Sequence, residues 1–169
     1  VTSVSNPKGI LVPHAGYIYS GPCAAVSYSR ISPDFDGTFV VIGTSHKGHP
    51  NSVSNLDWET PIGTVPSDTE FADAVPLPKN NDIFREQENS LETQMPFIAY
   101  RFPKAKVCAI LMGDQSLKGA AEISDAVISA VSKTNRRIIV AASGDGSHYV
   151  PAKKAENDDL TCLAALKNL

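Results

Sequence analysis

Three of the chain's four histidines stand a few residues beyond short apolar runs, among small polar residues and carboxylates. His14 follows Ile10-Leu11-Val12 in the segment Pro13-His14-Ala15-Gly16-Tyr17. His46 follows Val40-Val41-Ile42 in Gly43-Thr44-Ser45-His46. Asp145 and His148 follow Val140-Ala141-Ala142 in Ser143-Gly144-Asp145-Gly146-Ser147-His148. Neutral imidazoles with carboxylates suit a mid-series divalent ion such as iron, zinc or copper. His14 and His46 are the better ligand candidates, since each leaves a strand directly. In the D-x-x-H pair, Asp145 can orient the imidazole of His148, or His148 can act as a general base. Taken singly, a loop histidine is more often bonded to a neighbouring carbonyl than functional. Three histidines and two aspartates, Asp114 and Asp145, on one sheet rim reverse that judgement.

The second aspartate comes from Gly113-Asp114-Gln115, which follows Ile110-Leu111-Met112. Tyr17 and Asp114 are candidates to line a substrate pocket on that rim, although Tyr17 and Tyr19 equally suit half-buried packing. His49 lies further out and reads as solvated. Glu88-Asn89-Ser90-Leu91-Glu92 reads as a helix start, with Asn89 or Ser90 capping and Glu92 steadying the first turn.

These positions require strands at 9–12, 39–42, 107–112 and 138–142. The 39–42 run is apolar on both faces, which suits a central parallel strand. Helices are expected from Ser20-Gly21-Pro22 to about Arg30, then after a Ser67-Asp68 cap, and over 90–101, 120–132 and 158–169. Pro22 suits a first helical turn. Pro96 predicts a kink or a late start. Residues 44–55 read as a long polar connection, and 58–65 as an edge strand or hairpin arm, because Pro61 and Gly63 disfavour a central strand. Alternating strands and helices give a three-layer α/β/α fold with a mostly parallel central sheet. Ligands bind at the carboxyl ends of such strands.

With 169 residues, 42% hydrophobic and 20% charged, the chain can bury one core, and a single domain over 1–169 is expected. The net charge is −3 and no basic run occurs, which argues against a nucleic-acid partner. No apolar stretch is long enough to cross a bilayer. Residues 1–6 are polar and lack the layout of a signal peptide. Cys23, Cys108 and Cys162 form no C-x-x-C, and Cys23 and Cys108 read as buried thiols. A cytoplasmic setting is expected. The chain ends within a helical pattern, which suggests a further C-terminal part.

The segments Val12-Pro13-His14-Ala15-Gly16-Tyr17 with Ser20-Gly21, Gly43-Thr44-Ser45-His46, Trp58-Glu59-Thr60-Pro61-Ile62-Gly63, Glu88-Asn89-Ser90-Leu91-Glu92 with Gln94 and Pro96-Phe97, and Asp145 to Tyr149 together resemble the Memo family. This is the B protein of the AmmeMemoRadiSam group. They occur in family order over nearly the whole chain. The family is similar in fold to the class III extradiol ring-cleaving dioxygenases, which hold non-haem iron with two His and a Glu. By that resemblance His14 and His46 stand at the His ligand positions and His148 at the position of the catalytic base. It implies a third ligand, a Cys well beyond the D-x-x-H motif, and family segments at both ends that this chain lacks. Asn89 stands where the family has a His, the one the dioxygenases use near substrate, so the resemblance makes Asn89 a substrate-binding candidate beside Tyr17 and Asp114. Ser143-Gly144-Asp145-Gly146 replaces a Ser-Ser-Asp-Phe segment. Three readings follow: a metal-dependent oxidoreductase, a non-catalytic module that docks a small molecule or a phosphopeptide in the same pocket, and a plain scaffold.

Overall fold

The computed structural model describes residues 7–167; the readings on residues 1–6 and on the chain's last two residues lie outside it. Strands β1 (Gly9–Val12), β2 (Thr38–Thr44), β3 (Ser52–Ser54), β6 (Lys106–Met112) and β7 (Ile138–Ser143) form one sheet in the order β1-β7-β2-β6-β3. All neighbours are parallel except β3, which runs antiparallel along β6. The central strand is β2, and its residues Phe39, Val40 and Val41 are fully buried. A strand covered on both faces needs apolar side chains on both, which is why it reads as an unbroken run.

Helices cover the two faces. On one side α1 (Tyr17–Ser29), α4 (Asn89–Glu92) and α5 (Met95–Arg101) contribute Tyr28, Leu91, Met95 and Ile98 to a core with Phe39, Val41 and Ile139. On the other, α2 (Thr69–Ala74) and α6 (Leu117–Thr134) pack Phe71, Ile123 and Val127 against Val40, Cys108 and Ile110. The fold is therefore three-layer α/β/α, as expected. Strands β4 (Trp58–Thr60) and β5 (Gly63–Val65) pair antiparallel as the expected hairpin, outside the main sheet. Helix α3 (Asn81–Arg85) precedes α4, and α7 (Ala152–Leu166) follows β7 with no buried residue.

Several boundaries differ from expectation. Helix α1 begins at Tyr17, because the amides of Tyr19 and Ser20 bond back to the Gly16 carbonyl at 2.8 and 3.1 Å. Pro22 therefore sits inside the helix. It leaves the Ile18 carbonyl without an N–H, which is tolerated where the turn is open to water, and Ile18 and Tyr19 are exposed. The polar connection 44–55 contains β3, a strand too short and too polar to show a period. Pro96 acts more strongly than a kink: the expected helix 90–101 is split into α4 and α5, with the proline in the first turn of α5. Helix α7 starts six residues ahead of its expected start. Cys23 is exposed rather than buried, since it lies on the outer side of α1; Cys108 is buried, and burial pushes its thiol up to about 12.

Candidate functional site

Because β1, β7 and β2 are adjacent and parallel, their carboxyl ends bring His14, the Asp145–His148 loop and His46 side by side. The rings of His14 and His46 lie edge to face with centroids 5.4 Å apart. The Asp145 Oδ2 is 3.4 Å from His14 Nε2 and 3.4 Å from His148 Nδ1. Four of the expected site residues thus converge on one patch.

Each of the first two histidines is fixed from behind. His14 is buried, and its Nδ1 lies 3.1 Å from Ser143 Oγ. His46 donates from its backbone N–H to Glu88 Oε2 at 3.0 Å and from Nδ1 to Glu88 Oε1 at 2.7 Å. An ionised carboxylate can only accept, so this contact puts the His46 proton on Nδ1 and leaves the lone pair of the neutral ring on Nε2. Burial alone would raise the Glu88 pKa. Hydrogen bonds from the His46 ring, from its backbone and from Ser90 outweigh that effect and hold the carboxyl below its ordinary value. Burial is also the main influence on His14. It lowers the pKa against the pull of Asp145, and His46 adds to the lowering, so His14 is kept neutral.

Glu88 is the residue that sequence reasoning missed. The helix start was expected to be capped by Asn89 or Ser90, but Glu88 is the cap of α4: its Oε1 accepts from Ser90 N at 3.1 Å as well as from His46. Asn89 instead turns its Nδ2 onto the His14 carbonyl at 3.1 Å. Ser90 Oγ donates to the Thr44 carbonyl at 2.8 Å. This closeness depends on Gly43, where a Cβ would lie 2.5 Å from Ser90 Oγ and 2.8 Å from Leu91 Cδ2. Only glycine lets α4 rest on the end of β2 in this way. The signal was present in the Gly43 and Glu88-Asn89-Ser90 segments, but nothing in one sequence says that they meet.

The remaining candidates lie apart from the histidines. The Asp114 carboxylate turns onto Ser116 N at 2.9 Å and is held below its usual range by the Ser116 hydroxyl and amide. Tyr17 lies against Phe97 and lines a groove of about 1050 Å³ with Trp58, Pro61, Phe84, Glu92 and Pro96. His49 pairs with Glu86 at 3.1 Å, which Lys47 also reaches. Among the described residues no group of three or more His, Cys, Asp or Glu is arranged to hold a metal ion, and no helix is long and apolar enough to cross a membrane.

A family model described as Memo-like protein matches residues 2–169. A MEMO1 family protein of Archaeoglobus fulgidus is 37% identical over 161 residues, covering 93% of this chain and 61% of the relative. One from Methanococcoides burtonii is 38% identical over 166 residues, covering 95% and 62%. One from Methanothermobacter thermautotrophicus is 38% identical over 167 residues, covering 94% and 60%. The chain spans about three-fifths of the length of these curated relatives. A match over nearly every residue, including the strand ends that carry His14, His46 and Asp145, shows that this chain belongs to the Memo family.

Proposed function

We propose that the His14–His46 pair forms part of a site for a divalent transition metal, iron or copper ahead of zinc, in a metal-dependent oxidoreductase. The observation that supports this most directly is how the two rings are held. Each has Nδ1 turned toward the protein, onto Ser143 for His14 and onto Glu88 for His46. A neutral ring held through one nitrogen offers the other to a metal, and a carboxylate behind a ligand histidine raises its basicity. Two imidazoles supply part of the donor set that such an ion takes. Two imidazoles that share one ion through bonds of ~2 Å have centroids about 5 Å apart, comparable to the 5.4 Å here. When bound, the ion would supply Lewis acidity and, for iron or copper, redox capacity.

The rest of the site belongs to the chain's own residues. Asp145 lies between His14 and His148, 3.4 Å from a ring nitrogen of each, and through Nδ1 it orients the His148 imidazole. The half-exposed His148 can take a proton from a bound molecule as general base, with Asp145 stabilising the imidazolium. A reducing, cytoplasmic setting belongs to the same reading and is supported by three free cysteines.

Metal analysis of anaerobically prepared protein tests the proposal. Stoichiometric iron or copper, lost in both His14→Ala and His46→Ala, is the expected result. Negligible content unchanged by either substitution would overturn it. Oxygen uptake by the iron-loaded full chain with catechols then asks whether ring cleavage occurs.

A second reading, a non-catalytic docking module, is favoured by the groove beside Tyr17 and by the lack of a complete three-residue ligand group among the described residues. Titration with a phosphotyrosine peptide tests it. Binding that weakens in His46→Ala supports docking at the rim, binding that weakens only in Trp58→Ala places it in the groove beside Tyr17, and no binding argues against the module.

A further inference from the structure

One short stretch, residues 88–94, ties together the ends of three adjacent strands. Glu88 and Ser90 hold the end of β2 through His46 and Thr44. Asn89 holds the His14 carbonyl beyond β1. Gln94 reaches two strands at once: its Nε2 donates to the Pro13 carbonyl at 2.9 Å and to Ser143 Oγ at 3.1 Å, at the end of β7. Its side chain is fully buried, and desolvating an amide is costly unless its hydrogen bonds are made.

The direction of this amide is fixed. Pro13 offers a carbonyl, which only accepts, so the NH₂ end must face it; a flipped amide would set oxygen against oxygen. The opposite end, Oε1, accepts from Tyr28 OH at 3.2 Å. Tyr28 is itself buried, and burial pushes its hydroxyl well up, so it remains a donor. A buried chain therefore runs from Tyr28 through Gln94 to Ser143 and on to His14 Nδ1.

We propose that Gln94 is a positioning residue: through Pro13 and Ser143 it sets the ring of His14 with Nδ1 toward Ser143 and Nε2 toward Asp145. The consequence for metal binding rests on the reading of His14 as a ligand; the consequence for the ring does not.

The test uses the full chain without metal, labelled for long-range ¹H–¹⁵N spectra of the histidine rings, followed by titration with Co²⁺. Gln94→Leu is expected to shift the His14 ring nitrogens and to weaken Co²⁺ by about tenfold or more, the size typical of losing a group behind a metal ligand. Tyr28→Phe, which removes only the hydroxyl that anchors Oε1, shifts them in the same direction by less. Thr38→Val removes a buried hydrogen bond to Asp68 at the other end of β2 and leaves the His14 ring signals in place. That control separates positioning from general loss of stability. His14 ring signals that are unchanged in Gln94→Leu would overturn the inference. If that variant does not fold, unchanged signals in Tyr28→Phe overturn it instead. Wild-type protein that fails to bind Co²⁺ while the ring signals still move counts against the metal reading and supports the positioning role.

Discussion

The two sides of the rim are built differently. Where β1 and β2 end, the imidazoles are fixed: His14 is buried against Ser143, and His46 gives both a ring and a backbone N–H to Glu88. Where β7 ends, the chain reaches outward. The His148 side chain is 58% exposed, its contact with Asp145 spans 3.4 Å, and Tyr149 beyond it is fully exposed with a φ of 51°. The difference is what the two proposed roles require. A ligand has to be set before its ion arrives, and rigid support raises its affinity. A proton-transferring group can tighten its hydrogen bonds only once a substrate is in place, so loose geometry does not disqualify it.

The largest effect expected from breaking this arrangement is at Glu88. Its carboxylate accepts from the His46 ring, the His46 amide and the Ser90 amide while almost wholly buried. Glu88→Ala leaves all three donors without a partner and should cost roughly 2–4 kcal/mol. In a chain of this size that is about 10 °C in Tm, read by thermal unfolding. If Glu88→Ala melts no lower than a substitution at His148, the two sides do not differ as described. Next is Gly43→Ala, whose methyl group would press α4 off β2 at a cost of about 1–3 kcal/mol. It should also disturb the His46 ring signals, because α4 carries the Glu88 contact.

A pH series sharpens the same comparison. In the metal-free protein His14 is held neutral by burial, with its pKa lowered from 6.5. The unfolded chain therefore binds the proton more readily. The stability that His14 contributes is present above about pH 6.5 and is lost as pH falls toward its folded-state value. Glu88, lowered from 4.5, adds a second loss in the same direction at lower pH. His14→Gln should flatten the first part of the decline in Tm between pH 7 and 5. An undiminished slope would show that another group drives it.

How much of this could be read from the sequence depends on the kind of residue. Buried parallel strands such as 39–42 announce themselves, because burial on both faces demands an apolar run. The rim histidines were legible for the same reason, since their positions follow from where those runs end. The turn of α1 at Gly16 was not, because solvent tolerates Pro22 inside the helix and no local rule forbids it. Strand β3 was not, because Ser52-Val53-Ser54 becomes a strand only by pairing with β6. The support at Glu88 and Gln94 was least visible. Both are polar residues in a region that reads as an ordinary helix start. Their roles arise from the close approach of residues 88–94 to strand ends 42 to 81 positions away in the chain.

The smallest effect is expected at His148, and it gives the other half of the comparison. A side chain 58% exposed has little burial to lose, and its 3.4 Å contact with Asp145 is open to water. Pairs of that kind contribute little, so His148→Gln should unfold within about 0.5 kcal/mol of wild type. Metal content should also be unchanged, because neither His14 nor His46 depends on it. Activity is where a loss is expected, since glutamine keeps the size and a hydrogen-bonding end but cannot take up a proton. A variant that is stable, metal-replete and inactive would assign the outward loop to proton transfer. A variant that loses stability or metal in proportion to its activity would place His148 with the fixed histidines instead.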